Sequence, residues 1–163
     1  MSRSRQLERA LAGLEARQPA YRDVGSICHD VIALAVECDL AVWFSMDPAT
    51  LLPTGFEPRF DAPWMKTLHS GLTAAFGKGA RRFELQMMER MMRRELTWDD
   101  SLSPGNLATA AGHVATLHDT TAGRPDRSPR YNAFPFPGAI ADELRLMLTD
   151  ARECWGMVWM GRK

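Results

Sequence analysis

A chain of 163 residues with 45% apolar and 25% charged side chains has the size and make-up of one globular domain, too apolar for intrinsic disorder. Twenty basic residues balance twenty acidic ones, so no global field draws the chain to nucleic acid or to an anionic membrane. Three cysteines, Cys28, Cys38 and Cys154, have neither an even count nor metal-site spacing, which fits free thiols in a reducing cytoplasm. The N-terminus is too charged for a secretory leader, and no apolar run approaches a membrane span.

Leu7, Leu11 and Leu14 recur at three- and four-residue spacing and predict a helix over residues 4–17 with a narrow apolar seam. Such a seam packs on its own domain or zips against a second copy, and the sequence leaves both open. Pro19 ends it. A second helix over 21–38 carries a broad stripe, Val24, Ile27, Cys28, Val31, Ile32, Ala35 and Val36, of the width expected for a helix laid on a sheet. His29 and Asp30, adjacent on that helix, point in different directions and form no dyad.

Residues 40–46 read as a strand apolar on both faces. Asp47-Pro48-Ala49-Thr50 then supplies a turn, with the Asp side chain accepting backbone hydrogen bonds and Pro presetting the next position. A short strand over 51–55 follows, and Pro53 assigns it to a sheet edge. From 56 to 76 the signals mix, with Pro58 and Pro63 marking loop before Trp64, Met65, Leu68, Leu72 and Ala75 repeat at helical spacing. Gly77-Lys78-Gly79 lacks the remaining residues of a phosphate loop. The helix predicted over 81–96 places Leu85, Met88, Met91 and Met92 on one face, either as core or as an adaptable pocket or partner surface, while its interleaved arginines and glutamates read as a solvated face.

Ser103-Pro104-Gly105-Asn106 has the pattern that opens a helix, placed over 107–111 and closed by Gly112. Residues 113–118 alternate as a strand, which would put His113 and His118 on opposite faces and exclude a shared metal. A polar loop over 119–127 precedes Ser128-Pro129, which caps a short helix. Phe134-Pro135-Phe136-Pro137-Gly138 is not helical and offers aromatics to a pocket or to the core. Leu144, Leu146 and Leu148 alternate with Glu143, Arg145, Met147 and Thr149 at the period of a strand. After a tight polar break at 150–153, the run from Cys154 to Met160 is apolar on both alternating sets, which predicts an interior strand.

Several segments taken in order resemble a known family. Asp47-Pro48-Ala49-Thr50-Leu51-Leu52-Pro53-Thr54-Gly55 after an apolar strand, Val114-Ala115-Thr116-Leu117, Arg127-Ser128-Pro129-Arg130-Tyr131, Ala141-Asp142-Glu143-Leu144-Arg145 and Cys154-Trp155-Gly156 are similar to the GAF-like N-terminal sensor domain of actinobacterial LuxR-type transcriptional regulators. The resemblance implies an α/β (α+β) fold: a mainly antiparallel sheet with helices on one face and, on the other, a cavity closed by short helices and loops. It implies an N-terminal helix over 1–18 and a sensor domain over 19–163. The implied role is a non-catalytic, cytoplasmic input module without a cofactor, binding a small apolar or amphipathic molecule and pairing as a homodimer.

Candidate lining residues are Trp43, Met88, Met92, Phe136, Trp155 and Trp159, and the candidate dimer seam is Leu7, Leu11 and Leu14. DNA contact would fall to a helix-turn-helix domain that these 163 residues do not include. Two other readings are a pure homodimerisation module and an enzyme using Cys28 or Cys154 as nucleophile. The latter is disfavoured by the helix-stripe and buried-strand positions of those thiols.

Overall fold

The computed structural model describes residues 3–17, 21–60, 80–95, 97, 100–133, 140–150 and 153–163, together with 66, 70 and 74. Its centre is β5 (Glu153–Arg162), flanked on one side by β1 (Leu40–Asp47) and β2 (Leu52–Phe60), and on the other by β4 (Asp142–Asp150) and β3 (Val114–Thr116). Every neighbouring pair in the order β2-β1-β5-β4-β3 is antiparallel, so the described strands form an open five-stranded antiparallel sheet of an α+β fold. The interior position predicted for the C-terminal strand follows from its sequence: Gly156 through Met160 are all buried, and only a strand with neighbours on both edges and layers on both faces achieves that.

Alternation along the strands sorts side chains onto two faces. On one, Leu40, Val42, Phe44, Met157 and Trp159 pack with Met92 of α3 (Ala80–Glu95) and Leu107 of α4 (Pro104–Thr109). On the other, Ala41, Trp43, Val158 and Met160 pack with Val24, Cys28 and Ile32 of α2 (Tyr21–Ala35), which in turn carries α1 (Arg3–Arg17). Both helical stripes are legible in the sequence, because their spacing alone fixes one apolar side.

Several local expectations hold. Asp47 Oδ1 accepts from the amides of Ala49 at 2.8 Å and Thr50 at 3.0 Å, forming the turn between β1 and β2. β2 is an edge strand, as Pro53 requires. Ser128 Oγ accepts from Tyr131 N at 3.1 Å and opens α6 (Pro129–Ala133).

Others are corrected. β2 runs to Phe60 rather than 55, since Pro58 sits on the edge strand without interrupting its pairing with β1. α2 stops at Ala35 rather than 38, because the chain is already committed to the sheet: Asp39 N donates to Gly161 O at 2.9 Å. α4 begins at Pro104, three residues early, with Ser103 as its cap. The strand expected over 113–118 is three residues long, and the segment expected as loop over 119–127 contains α5 (Leu117–Thr121) and a 3-10 turn at Pro125–Arg127. The cause is Thr116, whose Oγ1 accepts from Asp119 N at 3.0 Å and caps a helix that the alternating apolar pattern concealed. His118 therefore lies on a helix, not on a strand. The helix expected around Trp64 to Ala75, apart from 66, 70 and 74, and the segment 134–138 lie outside the described residues.

Candidate functional site

The structure divides the predicted lining residues between the two faces. Trp159 and Met92 belong to the α3 side, 3% and 0% exposed, as members of the core. Trp43 belongs to the α2 side. The Met88 side chain and all of Phe136 lie outside the described residues. Trp155 stands apart from both cores: it is 44% exposed, whereas the strand pattern predicted it inside.

A register shift explains Trp155. Leu148 pairs with Gly156 but Thr149 pairs with Cys154, leaving Trp155 as the extra residue of a β-bulge. A bulged residue has no opposite number in the ladder, and the local twist turns its side chain away from the regular alternation. Here the indole comes to border an open apolar groove of about 540 Å³ with Val24, Trp43, Met46 and Leu148. The second bulge, between Ser45 and Met46, lies at the same end of the sheet.

Two glycines set the position of Trp43. A Cβ at Gly156 would overlap Cη2 of the Trp43 ring, and one at Gly25 of α2 would come within 2.7 Å of Trp43 Cδ1 and of Glu57 Oε2. The indole thus extends from α2 across β5, admitted at both ends by the absence of a side chain. A smaller depression of about 180 Å³, bordered by Val36, Cys38, Thr116, Asp142, Met160 and Arg162, opens near the other ends of β1 and β5 and mixes apolar with ionic groups.

The opposite face holds a buried ionic cluster that the sequence reading missed. Arg130 clamps Glu143 with Nη1 on Oε2 at 2.8 Å and Nη2 on Oε1 at 2.7 Å, while Arg145 Nε reaches Glu143 Oε1 at 3.1 Å. Arg145 Nη1 also donates to the Leu102 carbonyl at 3.1 Å, and its guanidinium lies 5.7 Å from the Trp159 ring centroid. Asp100 accepts from Leu102 N at 2.9 Å and from Ser128 Oγ, with Arg130 Nε 4.0 Å away. Two carboxylates and two guanidiniums balance within one buried volume, and they tie the 100–107 segment and α6 to β4. In the sequence, Glu143 and Arg145 had the look of an outward strand face; Arg130 stands 13 residues from Glu143, and the Leu102 carbonyl that Arg145 reaches is 43 residues away, so no local pattern announces the cluster.

Among the described residues no group of three or more His, Cys, Asp or Glu side chains is placed to hold a metal ion. Cys154 is buried and Cys28 half-buried, and burial pushes both thiols above their ordinary range, disfavouring the nucleophilic thiolate. Among the described residues no helix is long and apolar enough to cross a membrane. Comparison with known proteins gives no match: no family model fits the sequence, and neither a curated protein nor a solved structure is significantly similar to it.

Proposed function

We propose that this chain is a non-catalytic input module of the GAF-like type, sensing a small apolar or amphipathic molecule and passing its occupancy to a homodimer. In this reading it serves a LuxR-type transcriptional regulator in the cytoplasm, and DNA is contacted by a separate helix-turn-helix domain. The observation that carries the reading is the position of α2. Its Val24 borders the apolar groove, its inner stripe packs on the sheet, and it also supports α1, the helix with the Leu7, Leu11 and Leu14 seam. A guest in the groove therefore touches the helix on which α1 packs. Leu7 is half-buried; the side chains of Leu11 and Leu14 lie outside the described residues. Burial of Cys28 and Cys154, which raises both thiols, supports a binding role over catalysis by a cysteine nucleophile.

Sedimentation of the full chain and of a variant lacking residues 1–17 tests the dimer. The expected result is a dimer that becomes a folded monomer on deletion, since an isologous contact needs the same seam from both copies. A panel of apolar compounds tests sensing: at a hundredfold excess over Kd a ligand adds about 2.7 kcal/mol, and the melting temperature rises by several degrees. A full chain that stays monomeric and a panel that leaves the melting temperature unmoved would together refute the proposal.

A further inference from the structure

We infer that the ligand site is the groove between α2 and the bulged end of the sheet, and that it takes an uncharged, flat aromatic molecule laid against Trp43 and Trp155. The inference rests on the sensing role proposed above and narrows it. It also moves the site away from the α3 face, where the described side chains around Trp159 and Met92 are already packed together.

Three independent features converge. The groove, about 540 Å³, falls in the size range of small-molecule sites and is lined by Val24, Trp43, Met46, Leu148 and Trp155, none of which carries a charge. Its outer wall is a bulge residue, and bulges are concentrated where a strand must re-aim a side chain near a functional site. Its inner wall is an indole seated by two glycines, Gly25 and Gly156, on separate elements, so the ring is held in place before any guest arrives. Trp155, 44% exposed, supplies the stacking surface, and Trp43, 5% exposed, a fixed aromatic base beside it; a planar aromatic guest is favoured because offset stacking adds to area burial. With no charged side chain in that lining, an ionised guest would give up hydration without meeting a counter-charge.

Two probes with the same ring system separate these points: N-phenyl-1-naphthylamine, which is neutral, and 1-anilinonaphthalene-8-sulfonate, its anionic counterpart. Titrated into the full chain, the neutral probe should brighten at one site and quench tryptophan emission, and the sulfonate should bind at least tenfold more weakly. Trp155→Ala, a change at an exposed position, should weaken the neutral probe about tenfold while leaving the melting temperature near that of the parent. Leu148→Glu, placing a charge in the groove, should abolish binding.

Equal affinity of the two probes would overturn the uncharged class. Unchanged affinity in both variants, or no neutral-probe binding at all, would overturn the site. If the compound panel still raises the melting temperature in that case, the groove assignment falls and the sensing proposal stands; if the panel also has no effect, both fall.

Discussion

Arg145 is 1% exposed and Glu143 5%, the reverse of what two charged residues on an alternating strand predict. Their burial is tolerable only because each is answered: Glu143 receives both guanidiniums, and Arg145 also serves the Leu102 carbonyl. Removing one member strands the others, which typically costs about 3–5 kcal/mol. Glu143→Gln should therefore lower the unfolding free energy by about that amount in urea titration. Arg93→Ala breaks an exposed pair with Glu89 on the solvent side of α3, so the expected loss is about 0.5 kcal/mol or less. Similar midpoints for the two variants would mean that the buried cluster holds nothing together.

At the scale of elements, the sheet's outer border matters more than its interior. β2 is an edge strand, and an uncovered edge offers unpaired donors and acceptors to other chains. Pro53 and Pro58 interrupt the donor row; the sequence offered Pro53 as an edge signal, whereas Pro58 read as the start of a loop. Pro58→Val should leave circular dichroism unchanged and raise the rate of turbidity growth on prolonged incubation, through strand-to-strand association of the repaired border. Identical turbidity traces for variant and parent would show that this edge is protected by something other than its prolines. The short helix at Leu117–Thr121 teaches the opposite lesson. There, a local cap at Thr116 outweighed the alternation of the flanking residues, and Thr-x-x-Asp was the signal that identified it.

For the molecule as a whole, the buried thiols link folding to alkaline pH. The folded-state thiols of Cys28 and Cys154 lie above the ordinary value near pH 9, so below that pH both states are protonated and the stabilising preference is fully present. As pH rises past the unfolded value the unfolded chain loses protons first, and stability falls until the folded thiols also ionise. The urea midpoint of the parent should drop between neutral pH and about pH 10.5 more steeply than that of a Cys28→Ala, Cys154→Ala double variant. Parallel alkaline slopes for the two proteins would remove the thiols as the cause.

Local pattern determined the helices α1, α2 and α3, the β1–β2 turn at Asp47, the edge character of β2 and the interior character of β5, because each depends on neighbours within a few residues. The tertiary structure alone decided which tryptophans share a face, that Trp155 is displaced by a register shift, that Gly25 and Gly156 admit the Trp43 ring, and that Arg130 and Arg145 meet Glu143. Those outcomes depend on the register between strands and on side chains brought together from distant parts of the chain, and neither quantity has a period that a linear sequence displays.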